Sequence, residues 1–150
     1  MMANLKIRKM KLRDIEGVLK VERMSFSTPW TKDIFIQEVE RNQHAHYYVM
    51  EINDSIVGYV GSWVVMDDAQ ITNIAIMPDL RGNKLGEKLF RFTMQQLVTL
   101  GVKRLSLEVR ASNLPAQKLY KKFGMVPGGI RKNYYQDDNE DAIVMWVNLV

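Results

Sequence analysis

The sequence predicts an α/β protein in which a mixed, mostly antiparallel sheet of about seven strands carries four helices on its faces. Three observations lead to this class. The middle of the chain contains segments rich in Val, Ile, Tyr and Trp, separated by short turn sequences. Other segments repeat apolar residues at helical spacing. In chain order the segments run β-α-α-β-β-β-α-β-α-β-β, and no linker divides them, so we expect a single domain over residues 1–150.

The first half of the chain is predicted to contain four strands and two helices. Apolar residues at near-helical spacing mark the first helix, and the run from Ser27 to Trp30 breaks it. Thr31 has a side-chain oxygen suited to capping the next helix. The three strands that follow are separated by turns, which is typical of an antiparallel meander. In order, the predicted elements are strand 4–9, helix 12–25, a helix that follows Thr31, and strands 46–52, 56–66 and 69–76.

The second half of the chain alternates helices and strands. After Pro78, apolar residues repeat on one face of a helix, and a glycine ends it. The next segment alternates apolar and polar side chains, as expected for a strand with one buried face. In order, the predicted elements are a helix over 86–100 ended by Gly101, strand 104–109, helix 114–123 capped by Ser112 or Asn113 and ended by Gly124, and a hairpin of residues 126–136 and 141–149.

Composition excludes several classes of site. The chain contains no cysteine, which excludes disulfides, thiolate metal sites and cysteine nucleophiles. It has no long apolar window, and charges interrupt its first residues, so we expect a cytoplasmic protein that does not enter a membrane. The net charge of +4 indicates either a solvated basic surface or attraction to a polyanionic small molecule. Without a basic run or a nucleic-acid-binding motif, we expect no direct contact with nucleic acid.

The segment Arg81-Gly82-Asn83-Lys84-Leu85-Gly86 lies between a predicted strand and a predicted helix. The first turn of a helix has backbone N–H groups without internal acceptors and a partial positive charge. A glycine-rich loop lets phosphate oxygens approach these groups, and Arg81 and Lys84 would add charge. The segment predicts either a phosphate-binding loop or a polar connection in which Gly86 allows close packing. It matches neither the P-loop nor the Rossmann glycine pattern.

Residues 107–125 place a carboxylate, an amide and a phenol along a strand, a turn and a helix. Glu108 is a general base, a solvated strand residue, or the partner of Arg110 in a salt bridge. Tyr120 is either a proton donor or an aromatic residue whose ring packs in the core. Asn113 can cap the helix with its carbonyl oxygen and keep its amide N–H groups free for a ligand. These groups after a phosphate-binding loop suggest group transfer from a phosphate-bearing cofactor.

Together these two segments resemble the GCN5-related N-acetyltransferase (GNAT) superfamily. The acyl-CoA loop of the superfamily has the form Gln/Arg-x-x-Gly-x-Gly/Ala, which the chain fits except that Lys84 replaces the first glycine. The second GNAT pattern is matched over residues 107–125, with Met125 where Phe is usual. The chain is most similar to the bacterial RimI type, the ribosomal-protein-alanine N-acetyltransferases. The segments that carry this similarity are 27–30, 72–75, 107–113, 131–135 and 141–143.

The resemblance implies a GNAT-type fold and an acetyl-CoA-dependent N-acetyltransferase. It implies that Glu108 is the general base and that Tyr120 is the acid that protonates the departing CoA sulfur. Trp30, Tyr134 and Tyr135 would either line the groove for the acceptor peptide or belong to the hydrophobic core. The cofactor site implied by the resemblance consists of Ile74, Ala75, Ile76, Arg81, Gly82, Asn83, Lys84, Leu85, Gly86, Glu87 and Asn113.

Lys84 is the main departure from the loop pattern of the superfamily. A side chain disfavours the left-handed backbone conformation that glycine adopts freely. We therefore expect Lys84 to keep an ordinary negative φ, in a loop whose backbone is compatible with it or somewhat altered. The lysine could also contact a phosphate group of the cofactor.

By resemblance, the acceptor is the α-amine of a protein N-terminus, an alanine on a small-subunit ribosomal protein, which attacks acetyl-CoA directly in a ternary complex. Two alternatives remain. One is the same chemistry on a lysine side chain, a polyamine or an aminoglycoside. The other is a non-catalytic acyl-CoA-binding regulator, which would need neither Glu108 nor Tyr120. We expect a monomer and no metal cofactor, because His44 and His46 alone do not make a metal site.

Overall fold

The computed structural model describes residues 4–149 and has the element order predicted from the sequence. The strands are β1 (Leu5–Lys9), β2 (Ala45–Ile52), β3 (Ser55–Val65), β4 (Asp68–Ile76), β5 (Arg104–Arg110), β6 (Val126–Arg131) and β7 (Ala142–Asn148). The helices are α1 (Ile15–Ser25), α2 (Lys32–Glu40), α3 (Leu85–Thr99) and α4 (Leu114–Lys122). Two 3₁₀ turns, Leu12–Asp14 and Pro78–Leu80, precede α1 and α3.

All of these strands belong to one sheet, in the order β1-β2-β3-β4-β5-β7-β6. The last strand in sequence, β7, lies between β5 and β6. Every neighbouring pair is antiparallel except β4 and β5, which run parallel. The predicted α/β class with a mostly antiparallel sheet is confirmed.

Helices cover both faces of the sheet, and each face has its own apolar cluster. Phe35 of α2 packs in one cluster with Val49 of β2, and Leu89 of α3 packs in the other with Met50 of β2. Successive side chains of a strand point to opposite faces, so β2 contributes to both clusters. Burying each such side chain contributes roughly 1.5–3 kcal/mol and holds the helices against the sheet.

The closing hairpin is shorter than predicted. Residues 132–141 form a loop between β6 and β7, whereas the sequence predicted strands over 126–136 and 141–149. Asn133 and Asn139 adopt φ values of 53° and 59°, which lie in the left-handed region and interrupt an extended strand. The loop is held by charged side-chain contacts to β5 instead of by strand pairing.

The parallel strands β4 and β5 pair only at their beginnings. The register joins Asp68 to Arg104 and Gln70 to Ser106, and no pairing follows. Beyond this point the two strands separate, while each stays hydrogen-bonded to its other neighbour, β3 or β7. The sheet therefore contains an internal gap with backbone N–H and C=O groups along its sides.

A bulge in β4 lies beside this gap. Gly61 pairs with Asn73 while its neighbour Ser62 pairs with Ile71, which leaves Thr72 without an opposite residue. A Cβ atom at Gly61 would overlap a tyrosine ring of β2, so the close approach of the strands requires glycine there. Bulges re-aim side chains locally, and this one places Thr72 and Asn73 at the gap.

Candidate active site

The gap between β4 and β5 opens into a cavity of about 760 Å³. Its walls are the separated strand ends, the loop between α1 and α2, and the loop over residues 132–141. The residues singled out from the sequence that line this cavity are Trp30, Ile74, Glu108, Asn113, Tyr120, Tyr134 and Tyr135. The structure thus brings together both proposed catalytic residues, the helix-capping amide and the three proposed acceptor-binding aromatic residues.

Glu108 is held from two sides. Its side chain is 12% exposed, and its Oε1 accepts a hydrogen bond of 2.9 Å from Nε2 of Gln70 on β4. Its Oε2 lies 2.7 Å from Nε of Arg131, an ion pair in which this buried oxygen has no well-aligned hydrogen-bond donor within the described residues. The Arg131 side chain is 59% exposed, so it can move into solvent and leave Glu108 to another partner.

The alternative pairing of Glu108 with Arg110 was wrong. The guanidinium of Arg110 instead donates to carboxylates of the loop over residues 132–141. The two side chains alternate with buried residues on the same strand, but the loop supplies Arg110 with several anionic partners at once. Glu108 is therefore left facing the cavity.

Tyr120 packs in the core, as one of its two sequence-based interpretations predicted, and it also lies at the cavity. Its ring packs against Phe90, with centroids 5.2 Å apart, and the side chain is 6% exposed. Tyr120 is also one of the residues that line the cavity. Burial, together with the nearby Tyr135, raises the pKa of Tyr120 well above its usual range. At neutral pH the phenol is protonated and is able to donate a proton.

Asn113, rather than Ser112, caps α4. Its Oδ1 accepts a hydrogen bond of 3.2 Å from the backbone N–H of Ala116. Because capping uses only the carbonyl oxygen, the amide N–H groups remain available to a ligand in the cavity. The two roles weighed for Asn113 are compatible.

The loop before α3 has the backbone features of an anion site. No backbone N–H group from Gly82 to Glu87 donates to an acceptor within the described part of the chain. These groups lie at the positive end of α3, whose N-cap is Lys84. The side of Gly82 is open, since a Cβ atom there would meet nothing within 4 Å. The loop fits a phosphate-bearing cofactor, and it lies outside the lining of the cavity.

The polar side chains of this loop brace it. Arg81 donates from Nε to the carbonyl oxygen of Ile76 at 3.0 Å and from Nη2 to Oγ of Ser25 at 3.1 Å. Asn83 donates from Nδ2 to the carbonyl oxygen of Leu80 at 2.9 Å. Arg81 was predicted to add charge for a phosphate; in the structure it ties the loop to the end of β4 and to α1.

The first turn of α3 is fixed against α4. Leu85 is buried in the core, and Gly86 leaves room for Leu119, whose Cδ2 would lie 3.8 Å from a Cβ atom. Glu87 accepts from Nζ of Lys122 at 2.7 Å. Of the three β4 residues predicted to bind cofactor, Ile74 alone lines the cavity; the side chains of the next two, Ala75 and Ile76, are buried.

The backbone conformation of Lys84 differs from the one predicted. It adopts φ = 61° and ψ = 21°, the left-handed conformation, where a negative φ was predicted. The loop thus keeps the backbone shape that glycine would give, and Lys84 carries the steric strain of that shape. Left-handed conformation costs an L-residue roughly 1–2 kcal/mol.

Replacing Lys84 with Gly is expected to raise the free energy of unfolding by about 0.5–1 kcal/mol, because glycine adopts this conformation without strain. CoA affinity should not increase, since the N–H groups are already in place. Urea unfolding and calorimetry with CoA measure the two quantities. Lys118→Ala, an exposed lysine on α4, controls for the lost charge. Lower stability of Lys84→Gly would contradict the proposed strain.

The three aromatic residues predicted to bind the acceptor differ in setting. Trp30 packs on Phe35, with ring centroids 5.5 Å apart, and also lines the cavity, so its packing in the core leaves it open to a ligand there. Tyr134 and Tyr135 lie in the loop over residues 132–141 and meet edge to face at 5.1 Å. Their placement on the cavity wall favours the groove over the core.

A buried carboxylate beside the cavity was not predicted from the sequence. Glu22 of α1 accepts hydrogen bonds from the Tyr59 hydroxyl and, at 2.8 Å, from the Trp30 backbone N–H. Asn73 in turn donates to the Tyr59 hydroxyl at 2.7 Å. Burial raises the pKa of Glu22. The sequence contained a signal for the burial of Glu22. It follows Val18 by four residues, so the two side chains lie on the same, core-facing side of α1.

Residues 4–149 contain no helix long and apolar enough to cross a membrane. Over the same residues, no group of three or more His, Asp and Glu side chains is arranged to hold a metal ion.

The chain is similar to known proteins in both sequence and fold. The sequence model of the Acetyltransferase (GNAT) family matches residues 14–125. A Bacillus subtilis (strain 168) protein, provisionally named ribosomal protein bS18-alanine N-acetyltransferase, is 57% identical over 143 residues, which cover 95% of each chain. The ribosomal protein bS18-alanine N-acetyltransferase of Salmonella typhimurium is 35% identical over 136 residues, 88% of this chain and 89% of that protein.

A solved structure gives the same result. The crystal structure of the ribosomal-protein-S18-alanine N-acetyltransferase from Escherichia coli superposes with a TM-score of 0.90 and 31% sequence identity, over 97% of this chain and 94% of that chain. The predicted family and its fold are therefore confirmed. The chain belongs to the GNAT family and is an acetyl-CoA-dependent N-acetyltransferase.

Proposed function

We propose that the protein acetylates the N-terminal alanine of ribosomal protein bS18, using acetyl-CoA as the donor. The observation that carries this proposal is the meeting of Glu108 and Tyr120 in one cavity where two strands of the sheet separate. An amine acceptor needs a base, and a departing thiolate needs an acid. The names of relatives matched along nearly the whole chain support bS18 as the acceptor.

Glu108 acts as the general base. An α-ammonium cannot attack until it loses a proton, and a carboxylate within reach can accept that proton directly or through a water. The Oε2 oxygen, which lacks an aligned hydrogen-bond donor among the described residues, is the atom proposed to receive it. Gln70 holds the other oxygen and fixes the orientation of the carboxylate.

Tyr120 acts as the general acid. The acceptor nitrogen bonds to the acetyl carbonyl carbon, the carbon–sulfur bond breaks, and the phenol protonates the leaving sulfur. The nitrogen gives up two protons overall, one to Glu108 and one that restores the Tyr120 phenol. Burial raises the pKa of Tyr120, which makes the phenol a weaker acid than a tyrosine in water. The CoA thiolate forms in the same apolar surroundings, and these raise the proton affinity of the thiolate as well.

Acetyl-CoA would bind along the gap and onto the loop before α3. The backbone edge of Ile74, Ala75 and Ile76 is not paired with β5 and suits the amide groups of the pantetheine arm, as an added strand would, although Arg81 already donates to the Ile76 carbonyl oxygen. The free N–H groups from Gly82 to Glu87 suit the pyrophosphate. Asn113 adds amide N–H groups at the cavity. Acetyl-CoA supplies the activated acyl group. The protein holds and orients the cofactor, and its side chains transfer the protons.

Trp30, Tyr134 and Tyr135 would hold the acceptor peptide. They belong to the two loops that line the cavity together with Glu108. We further propose a single catalytic domain over residues 1–150 that works in the cytoplasm as a monomer, without a metal and without direct contact with nucleic acid.

The test is acetyl-CoA turnover, measured by thiol release, with three acceptors: a peptide copying the alanine-starting N-terminus of bS18, the same peptide with a blocked α-amine and a free lysine, and spermidine. We expect turnover with the open N-terminus only. Turnover with the blocked peptide or spermidine would identify a lysine or small-amine acetyltransferase. CoA binding without any turnover would favour the regulator.

A further inference from the structure

Arg110, at the end of β5, binds three carboxylates of the loop over residues 132–141. Its guanidinium donates to both oxygens of Asp137 at 2.8 and 3.0 Å and to Asp138 at 3.0 Å. It also donates to Glu140 at 3.2 Å. Hydrogen bonds between charged groups are about twice as strong as neutral ones, and the planar guanidinium fixes their directions. One side chain therefore sets the position of much of this loop.

The same guanidinium also contacts one of the cavity tyrosines. Its central carbon lies 4.0 Å from the centre of the Tyr135 ring, a cation–π distance. Tyr135 in turn packs edge to face on Tyr134. The positions of both phenols on the cavity wall thus depend on Arg110.

The loop has no apolar anchor of its own. None of the residues from 132 to 141 is buried. Segments with few buried apolar contacts open at low free-energy cost and depend on their polar contacts for order. The Arg110 contacts therefore restrain the shape of this wall, together with the hydrogen bond that the Ser112 backbone N–H donates to Glu140 at 2.6 Å.

Arg110 also influences the opposite wall through Asp137. Ser27, in the loop between α1 and α2, donates from Oγ to Asp137 at 2.5 Å. The hydrogen bonds from Ser27 and Arg110 lower the pKa of Asp137 to about 2, so this carboxylate is ionised at neutral pH. The loop that carries Trp30 is thereby joined to the loop that carries the tyrosines.

We propose that Arg110 is a positioning residue of the acceptor site. It orders the two loops that form the acceptor walls, and it contacts neither the loop before α3 nor Glu108 or Tyr120. Removing it should weaken acceptor binding and leave acetyl-CoA binding intact. The inference rests on the proposed function only for the choice of acceptor.

The experiment compares Arg110→Gln with Arg8→Gln. Arg8 holds a similar cluster, with Asp14 at 2.8 Å and Glu51 at 3.2 Å, away from the cavity. In Arg110→Gln we expect the acceptor KM to rise roughly 10- to 100-fold, in line with the loss of charged hydrogen bonds, with CoA affinity unchanged. Arg8→Gln should lower Tm but leave the acceptor KM at the wild-type value.

Amide hydrogen exchange provides a readout that does not need turnover. Arg110→Gln should speed exchange in residues 132–141 and 26–31 and leave residues 82–87 unchanged. Unchanged exchange in these loops, an unchanged acceptor KM, or an equal KM rise in Arg8→Gln would each overturn the proposal. If Arg110→Gln does not fold, Arg110→Lys and Asp137→Asn undergo the same comparison.

The two proposals fail separately. If the wild-type protein uses a lysine peptide or spermidine instead of the alanine peptide, the assignment of the acceptor is wrong. The KM comparison is then made with that amine, and the exchange measurement stands unaltered.

Discussion

Replacing Glu108 with Gln is expected to lower kcat for acetyl transfer by about 10²- to 10⁴-fold, the usual contribution of a general base. Glutamine keeps the size of the side chain and can still accept the hydrogen bond from Gln70, but it cannot take up a proton. Acetyl-CoA affinity should be unchanged, because Glu108 belongs neither to the loop before α3 nor to the edge of β4 proposed to hold the cofactor. Steady-state thiol release and calorimetry measure the two quantities.

The matched control is Glu16→Gln, which removes an exposed carboxylate that pairs with Lys32 on the outside of α1. It should keep the wild-type kcat. If Glu108→Gln turned over at a rate similar to this control, Glu108 could not be the base, and Glu22, the buried carboxylate at the cavity, would be examined next.

Replacing Tyr120 with Phe is expected to lower kcat by about 10²-fold while the protein folds normally. The ring contacts with Phe90 are retained, and the hydroxyl makes no hydrogen bond within the described residues, so the free energy of unfolding should change by less than about 1 kcal/mol. Tyr48→Phe is the control, since Tyr48 is a buried tyrosine of the same cluster that does not line the cavity.

The raised pKa of Tyr120 also predicts the pH profile. An acid works only while it is protonated, and raising its pKa moves the loss of that form to higher pH. An ordinary tyrosine titrates near about pH 10, so wild-type kcat should not decline because of Tyr120 up to about pH 9. An alkaline decline below that pH, present in the wild-type protein and absent in Tyr120→Phe, would be incompatible with this environment.

Features that depend on neighbouring residues were predicted well from the sequence. Thr31 caps α2 by accepting from the backbone N–H of Ile34, and Asn113 caps α4 in the same way. Gly101 and Gly124 end their helices with φ values of 85° and 87°. Capping and termination act within one turn of a helix, so a short stretch of sequence contains all the information they need.

The surroundings of Glu108 could not be predicted in the same way. Gln70 reaches it across the gap from β4, and Arg131 reaches it from β6 across the intervening β7. Both contacts depend on the strand order and register of the folded sheet. The loop over residues 132–141 could not be predicted for the same reason. Its tyrosines favour a strand, but in the folded protein its carboxylates bind Arg110 of β5 and the segment forms a loop.

The gap in the sheet links the supply of acetyl groups to the survival of the enzyme. If the pantetheine arm pairs with the free edge of β4 as proposed, acetyl-CoA binds the folded protein and not the unfolded chain, which lacks this edge. Each tenfold rise of free donor above its Kd then adds about 1.4 kcal/mol of stability. A cell starved of acetyl-CoA would open this enzyme to proteases more often, so nutrient state would set the amount of catalyst as well as its rate.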